Sequence, residues 1–359
     1  MLGPLADKIA AGERITAAEA LKLFNSEDIF TLGELASAAA ERKNGNRVYY
    51  IRNIHVNPTN LCVNRCRFCA FSRSRGEEGA YELTNRDIIK KLKKIKNTKT
   101  EKNKNAFDEV HIVGGLHPDW AFEHYLEMLQ AIKENFPGVS IKGFTAVEAD
   151  YMRKKSGLPL REVFKRLKDS GLDVMPGGGA EIFHPDVRNA LCPEKLSGKD
   201  WLRVMREAHG AGIKTNATML YGHIENYEHR VAHLQSLRRL QDQTGGFQAF
   251  IPLPYQPDTE VGGHAPSGIE DLKCIAVSRI FLDNFDHVKA YWVMLGEKLS
   301  QVALLFGADD LEGTVIEERI AHSAGARTKY GLSEAELARM IKKAGKEPAR
   351  RDSFYRRLS

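Results

Sequence analysis

Short apolar segments alternate with longer amphipathic segments through most of this 359-residue chain. The short segments have the length and composition of buried strands, and the longer ones carry apolar residues at helical spacing. After a β-rich start at 46–57, the predicted strands are 109–115, 140–148, 172–179, 214–222, 247–255 and 287–295. The predicted helices are 84–95, 121–136, 160–171, 198–212, 228–243 and 269–285. About seven strand–helix units in series predict an α/β fold with a parallel sheet.

A closed barrel of the TIM type explains this pattern better than an open, doubly wound sheet. An open sheet usually carries a glycine fingerprint after its first strand, whereas here the first strand runs into a group of cysteines. We expect an eighth unit near 307–321. Polar and glycine-rich clusters follow the predicted strands, which is where the chemistry of a parallel (β/α) barrel lies.

We divide the chain into three parts. Residues 1–45 are rich in Ala, Leu and Glu at helical spacing and predict an N-terminal helical extension. Residues 46–326 form the predicted barrel, and residues 327–359 are predicted to form a C-terminal helical tail.

The charge and hydropathy of the chain narrow the class of function. Lys and Arg total 53 against 47 Asp and Glu, and much of the excess lies at 90–105 and 342–359. Such runs are typical of solvated helix faces or tails, and we expect no nucleic-acid partner because no stacking aromatics accompany them. No apolar run approaches about 18 residues, and the first residues lack a secretory signal, so we expect a cytoplasmic protein without a membrane span.

Three of the five cysteines lie within eight residues, with the spacing C-x3-C-x2-C: Cys62, Cys66 and Cys69. Clustered cysteines suit metal ligation in a reducing compartment better than a disulfide framework. Three thiolates in a tight loop can ligate three irons of a [4Fe–4S] cluster and leave the fourth iron open. Zinc is the alternative, but a structural zinc site takes four protein ligands, and Cys192 and Cys274 are single and distant.

Glycines and a carboxylate follow the second and third predicted strands. Gly114 and Gly115 lack side chains, so a ligand can approach their backbone closely. Glu148 has two equally consistent interpretations, a ligand-binding carboxylate or an acidic residue at a helix N-terminus. The segment 176–181 can offer backbone amides to an anion, or it can form only a tight corner.

The end of the fifth strand and one helix supply further candidates. The polar side chains that cluster at this strand end are Thr218, Tyr221, His223 and Glu225. A His-x-Glu pair at a strand end is a candidate for substrate contact and catalysis. Arg279 lies in a predicted helix, which favours a structural role, but its planar guanidinium suits pairing with a substrate carboxylate.

The cysteine motif at the end of the first barrel strand, with Phe68 before the last cysteine, resembles the radical S-adenosylmethionine superfamily. The resemblance implies a [4Fe–4S] cluster whose open iron is chelated by S-adenosylmethionine, and cleavage to a 5′-deoxyadenosyl radical. It implies that Phe68 lies near the adenine and that Gly114 and Gly115 bind the amino group. Glu148 would bind the ribose hydroxyls or the amino group. The other residues that we expect in cofactor binding are Gly177, Gly178 and Thr218.

Over roughly 48–326 the sequence is similar to the aminodeoxyfutalosine synthase family of menaquinone biosynthesis, and the stretch 176–188 followed by 215–225 fits this family best. The resemblance implies a transferase that adds the 5′-deoxyadenosyl radical to 3-[(1-carboxyvinyl)oxy]benzoate. The product would be 6-amino-6-deoxyfutalosine, with loss of carbon dioxide and methionine. It also implies an electron donor such as flavodoxin or ferredoxin. A related hydrogen-abstracting enzyme, cyclic dehypoxanthine futalosine synthase, is the alternative.

Two further expectations depend on this resemblance. The two carboxylates of the implied substrate need cationic or amide partners, and our candidates are His223, Arg279 and the backbone of residues 176–179. The Lys- and Asn-rich segment 96–105 is longer than the family pattern, and we expect a surface insertion there.

Overall fold

The computed structural model of the chain describes residues 3–97 and 107–358. The expected insertion at 96–105 lies, beyond Asn97, outside the described residues.

Ten strands occur within the described ranges. They are β1 (Arg47–Ile51), β2 (Asn53–Val56), β3 (Glu109–Ile112), β4 (Ser140–Gly143), β5 (Val174–Met175), β6 (Lys214–Tyr221), β7 (Phe247–Pro254), β8 (His287–Val288), β9 (Asp310–Gly313) and β10 (Glu347–Arg350). Strands β2 to β8 form one parallel sheet in chain order, and β10, β1 and β9 form a second sheet of three strands.

The helices begin with α1 (Gly3–Ala10), α2 (Ala17–Phe24), α3 (Ile29–Asn44), α4 (Asn85–Asn97), α5 (Phe122–Asn135), α6 (Ala146–Ser156), α7 (Leu160–Asp169) and α8 (Pro185–Leu191). They continue with α9 (Gly198–Gly210), α10 (Tyr227–Thr244), α11 (Gly268–Phe281), α12 (Trp292–Leu295), α13 (Glu297–Ala303), α14 (Ile320–Ser323) and α15 (Glu334–Lys343). The predicted N-terminal helices are present, and α2 and α3 pack against α10 and α11 outside the barrel. No helix in the part of the chain that the structure describes is long and apolar enough to cross a bilayer.

The seven-stranded sheet curls, and the segment after β8 joins its two edges. Lys289, just past β8, pairs with Asp310, and Ile54 of β2 pairs with Ile316, both in parallel. The segment that includes β9 therefore occupies the eighth position of the barrel, where we predicted an eighth unit at 307–321. The α/β barrel prediction is confirmed.

All six predicted strands from 109–115 onward end earlier than expected, and the difference is largest for two of them. The segment 140–148 is a strand only to Gly143, because the Thr145 side chain and Glu148 form a capping box that starts α6. The segment 287–295 forms the two-residue β8 and then α12. The C-terminal part contains the expected helix, α15, and also a strand, because β10 finds a partner in β1.

Polar side chains fill the interior of the barrel in layers. His55, His111 and Lys142 are partners in the register of β2, β3 and β4. Residues two positions apart on a strand share a face, so Glu109 points to the same interior one layer below His111. These layers lie between the cysteine loop at one end of the barrel and the C-terminal segment at the other.

A buried ionic network lies at the lower end of this interior, and we call it the floor network. Its members are Glu109, Lys142, Lys289, Asp310, Glu312 and Arg351. The ion pairs join Lys142 Nζ to Glu109 Oε1 at 2.9 Å, Lys289 Nζ to Glu312 Oε2 at 2.5 Å, and Arg351 Nε to Asp310 Oδ2 at 2.7 Å. Three cations face three carboxylates, so each buried charge has the partner that it needs to avoid a large desolvation penalty.

Candidate active site

A cavity of about 310 Å³ opens at the C-terminal ends of the barrel strands. All residues that we predicted for the cluster and for cofactor binding line it, namely Cys62, Cys66, Phe68, Cys69, Gly114, Gly115, Glu148, Gly177, Gly178 and Thr218. The three residues that we predicted for catalysis are not among the described residues of its lining: His223, Glu225 and Arg279.

The loop that carries the three cysteines is fixed by backbone contacts. Thr59 pairs with Glu82 across an antiparallel bridge, and Cys62 N donates to Arg73 O at 3.1 Å. Cys69 N donates to Cys66 O at 2.9 Å, which turns the chain between the second and third cysteine. Because these bonds hold the backbone, the three side chains share one wall of the cavity.

The donor set fits an iron–sulfur cluster better than a single metal ion. All three cysteines are free, Cys66 is buried, and the other two are partly buried. Ligands of one tetrahedral zinc lie within about 4 Å of one another, since each zinc–sulfur bond is about 2.3 Å. Among the described residues, the three sulfur atoms do not form a group within 4.8 Å of one another. The wider spacing suits three separate irons of one cluster.

Burial favours the protonated form of two of these thiols in the metal-free chain. It raises the pKa of the Cys66 thiol to about 12 and also raises the pKa of Cys62. Since the thiolate is the metal ligand, loading of the cluster must release protons.

Gly114 and Gly115 let the end of β3 lie against the cysteine loop. A Cβ atom on Gly115 would lie 2.2 Å from Leu61 O, and one on Gly114 would lie 3.1 Å from Thr59 O. Gly115 N donates to Thr59 O at 2.9 Å. Glycine is therefore required at Gly115 by a close backbone approach, and Gly114 makes a tight contact with the same loop, whatever ligand the pair also contacts.

Glu148 caps a helix and lines the cavity at the same time. Its Oε2 accepts from Thr145 N at 2.7 Å, and its Oε1 accepts from Gly114 N at 3.1 Å. Burial raises the pKa of this carboxyl to about 7, although the hydrogen bonds from Thr145 and Gly114 oppose the rise. The two interpretations of Glu148 are thus compatible, because one carboxylate links α6 to the end of β3 beside the cavity.

Gly177, Gly178 and Thr218 join β5 to its neighbours. A Cβ atom on Gly177 would lie 2.7 Å from the backbone of Ala217. Thr218 Oγ1 donates to Gly177 O at 2.7 Å, and Trp201 Nε1 donates to Gly178 O at 3.1 Å. Both carbonyls are engaged by protein donors, so this wall has a defined shape before any ligand binds.

An ion pair beside Phe68 was missed by the sequence analysis. Lys195 Nζ lies 2.6 Å from Glu181 Oε1 and 4.8 Å from the centre of the Phe68 ring, and all three residues line the cavity. Glu181 has a φ of 47°, unusual for a residue other than glycine. Its place in the glycine-rich 176–181 segment was the available signal, whereas nothing in the spacing pointed to Lys195.

His223 and Glu225 form a turn after β6, behind the cavity wall. Glu225 accepts from Gly222 N at 2.6 Å and pairs with Arg230 at 2.7 Å. Burial alone would raise the pKa of Glu225, but the hydrogen bond with His223 and the charge of Arg230 hold it well below the usual range. The His223 ring lies edge-on to Tyr255, with ring centres 6.1 Å apart. Tyr255 lines the cavity, so this ring contact places the pair next to the cavity wall.

Arg279 lies in α11 and holds the turn before β9. Its Nε donates to Gly307 O at 2.8 Å, and its guanidinium also pairs with Asp309 at 2.5 Å. The side chain is buried among these groups. This placement corrects the hypothesis of a substrate carboxylate partner, since the guanidinium is engaged with the protein away from the cavity.

Comparison with known proteins assigns the chain to a family. The family model of the radical SAM superfamily matches residues 56–237, half of the chain, and that of the CofH/MqnC C-terminal region matches 244–359. The chain belongs to the radical SAM superfamily. This radical SAM chain is therefore an enzyme, and its superfamily uses a [4Fe–4S] cluster and S-adenosylmethionine.

Relatives match almost the whole radical SAM chain. It is 46% identical to the aminodeoxyfutalosine synthase of Thermus thermophilus, over 99% of this chain and 95% of that protein. It is 40% identical to that of Streptomyces coelicolor, over 98% and 92%. It is also 40% identical to a 5-amino-6-(D-ribitylamino)uracil–L-tyrosine 4-hydroxyphenyl transferase of Methanoculleus marisnigri, over 99% and 97%. The resemblance to the aminodeoxyfutalosine synthase family is confirmed.

Solved structures share the fold of this radical SAM chain at low sequence identity. Methylornithine synthase superposes with a TM-score of 0.76 at 19% identity, covering 96% of this chain and 97% of that chain. The hydrogenase maturase HydG from Carboxydothermus hydrogenoformans superposes with a TM-score of 0.75 at 18% identity, covering 99% and 80%. These likenesses support the barrel architecture.

Proposed function

We propose that this chain is an aminodeoxyfutalosine synthase. It adds the 5′-deoxyadenosyl group of S-adenosylmethionine to 3-[(1-carboxyvinyl)oxy]benzoate and yields 6-amino-6-deoxyfutalosine, carbon dioxide and methionine. The observation that carries the proposal is the 46% identity over the full chain to a synthase of that name. The cavity supports it, because three free thiols share one wall of a pocket inside a parallel barrel.

The chain's own residues would bind and orient the two reactants. When bound to Cys62, Cys66 and Cys69, the cluster supplies the electron that cleaves S-adenosylmethionine. We assign the adenine to Phe68 and the amino acid part to the wall that contains Gly114, Gly115 and Glu148. The remaining wall for the cofactor is formed by Gly177, Gly178 and Thr218.

The side chains around the rest of the cavity keep water away from the reacting centre. A primary alkyl radical reacts with most C–H groups, so it must meet the intended double bond in a near-attack arrangement. Apolar residues dominate this part of the lining, among them Val113, Leu116, Leu220, Ile251 and Leu253. We propose that His223 and Glu225 position Tyr255 and do not contact the substrate.

We also propose an electron donor such as flavodoxin or ferredoxin and a cytoplasmic location. Arg65 and Arg67 flank Cys66 and are exposed, so they are available to an acidic donor near the cluster. A reducing compartment keeps the three thiols available for iron.

A second candidate is a radical enzyme with another substrate, such as cyclic dehypoxanthine futalosine synthase. Two observations support this second candidate. The C-terminal family model is described by the names CofH and MqnC, and the hydroxyphenyl transferase is as similar to this chain as the second synthase.

Product analysis separates the candidates. We would incubate anaerobically reconstituted enzyme with S-adenosylmethionine, a reductant and the enol-ether benzoate, and identify products by mass spectrometry. We expect 6-amino-6-deoxyfutalosine as the main adenosyl product. Free 5′-deoxyadenosine as the main product would contradict the proposal. The Cys66→Ala variant should form neither, whereas Cys274→Ala, a buried cysteine of α11, should behave like the unmodified enzyme.

A further inference from the structure

We propose that His55 and His111 bind the ring carboxylate of the substrate at the closed end of the cavity. This inference rests on the proposed function and adds to it the residues that select a dicarboxylate.

The two histidines form a matched pair inside the barrel. His55 of β2 and His111 of β3 are partners in the strand register, and their ring centres lie 4.4 Å apart. Both side chains line the cavity. They belong to strands, whereas Cys62, Cys66 and Cys69 lie in the loop that follows β2, so the pair faces the cavity from the end away from the cysteines.

Both rings have unused hydrogen-bonding capacity. Within residues 3–97 and 107–358, Nε2 of His55 and Nδ1 of His111 are buried without a partner. Buried polar atoms in folded proteins almost always have partners, and two neighbouring ring nitrogens without one at the same cavity point to a polar group of a ligand.

The surroundings of the two histidines suit an anion that is bound by neutral hydrogen-bond donors. Burial lowers the pKa of His55 and of His111 to about 3, so each neutral ring offers one N–H donor. Two carboxylates of the lining act on His55 through their charge, those of Glu318 and Glu312. The carboxylate of Glu312 is held by Lys289 at 2.5 Å and Lys142 at 3.4 Å, and that of Glu318 lies 3.0 Å from His322 Nδ1. The floor network contains equal numbers of cations and carboxylates, so it does not strongly repel a substrate carboxylate.

A metal ion is a poorer occupant of the same place. Ligand atoms of Glu109, His111 and Glu312 lie within 4.8 Å of one another. However, Lys142 Nζ lies 2.9 Å from Glu109 and 3.4 Å from Glu312. An ammonium group already occupies the position between these carboxylates and would repel a cation.

The shape of the substrate identifies which carboxylate reaches the histidines. The vinyl carbon must lie beside the cofactor, and hence toward the cysteine loop. The carboxylate on the vinyl group stays with it, whereas the ring carboxylate lies at the far end of the molecule. That end extends into the barrel, where His55 and His111 lie.

The test compares two substrates on paired variants. One substrate is 3-[(1-carboxyvinyl)oxy]benzoate, and the other is the analogue 2-phenoxyacrylate, which lacks the ring carboxylate. We expect His55→Leu and His111→Leu each to lower kcat/KM for the dicarboxylate about 10- to 100-fold, as for loss of a hydrogen bond to a charged group. For the analogue we expect less than about a threefold change, since no such bond is lost. His55→Gln, which keeps an N–H donor, should recover part of the loss.

Controls make the outcome specific. His264→Leu, an exposed position, should leave both substrates unaffected, and cleavage of S-adenosylmethionine without substrate should not change in any variant. Equal losses on both substrates would overturn the inference and assign the histidines a structural role. If a leucine variant fails to fold, His55→Phe and His111→Phe, which keep a planar ring but have no N–H donor, carry the same comparison. If the unmodified enzyme forms no adduct, the proposed function itself fails, which is a distinct result.

Discussion

At the scale of single residues, Glu148 gives the clearest pH signature. Its folded-state pKa of about 7 exceeds the usual 4.5, because burial favours the neutral carboxyl. The unfolded chain ionises first as the pH rises, so the stability that depends on the neutral form is present below about pH 4.5 and is lost by about pH 7. Between pH 5 and pH 8 we expect the unmodified protein to lose up to about 3 kcal/mol of unfolding free energy relative to the Glu148→Gln variant, which does not titrate at this position.

The measurement is urea denaturation at both pH values. Glu336 is the matched control, because it also completes a capping box, with Ser333, at the start of α15. It is partly exposed to water, and hydrogen bonds from Lys329 and Ser333 lower its pKa to about 2. The difference in unfolding free energy between Glu336→Gln and the unmodified protein should therefore be the same at both pH values. If the difference in unfolding free energy between Glu148→Gln and the unmodified protein is also the same at both pH values, the raised pKa of Glu148 is contradicted.

The sequence predicted those site residues whose role depends on local spacing. The cysteine motif and the glycine pairs are contiguous, and all of them line the cavity. Lys195 with Glu181, and His55 with His111, come together only through the fold. His55 and His111 are 56 positions apart, and only the register of β2 and β3 makes them neighbours.

At the scale of elements, the contact between β3 and the cysteine loop depends on Gly115. We expect Gly115→Ala to lower stability by about 1–3 kcal/mol, because the new Cβ would lie 2.2 Å from a backbone oxygen that must move. The loop would shift with it, so bound iron after anaerobic reconstitution should also fall.

Thermal unfolding and iron analysis check this prediction. Gly138→Ala is the control, because no atom lies within 4 Å of its new Cβ and its backbone does not require glycine. That variant should be neutral or slightly stabilised. Equal iron content and melting temperature in both variants would show that the loop does not depend on the close approach.

The type of each secondary-structure element, helix or strand, was predicted better than its length. Most interior strands have four residues or fewer, and apolar residues beyond them continue into loops and helix starts. At 140–148 the periodicity does not reveal the change of structure, and the capping pair Thr145 and Glu148 decides it. Capping competes with strand continuation, and the packing of α6 against α5, α7 and α9 adds to the preference for the helix.

At the scale of the whole molecule, the C-terminal segment completes the floor of the barrel. Arg351 is buried beside Asp310 at 2.7 Å, and Ser353 Oγ donates to Glu109 at 2.6 Å. We expect Arg351→Met to lower the free energy of unfolding by about 3–5 kcal/mol, since it leaves a buried carboxylate without its partner.

Chemical denaturation of the reconstituted protein measures this effect. Arg356→Met is the control, because its side chain is 75% exposed and its ion pair with Asp352 is on the surface. That change should stay within about 0.5 kcal/mol. Comparable losses in both variants would mean that Asp310 does not depend on Arg351.

The barrel was predictable because each strand–helix unit carries its own local pattern. The sheet of β10, β1 and β9 was not predictable in the same way, because its strands come from distant parts of the chain. β10 has the sequence Glu-Pro-Ala-Arg, which carries no strand periodicity, so pairing with β1 determines its structure.

That three-stranded sheet also has a consequence for how the polypeptide acquires its structure. Tyr50 and Arg350 pair although they are about 300 residues apart along the chain, and contacts between distant segments form slowly. Neighbouring strand–helix units can assemble first, while the acids and bases of the interior remain hydrated. Expulsion of that water must wait for β10 and Arg351 to dock, so drying of the barrel is expected among the last events on the way to the native state.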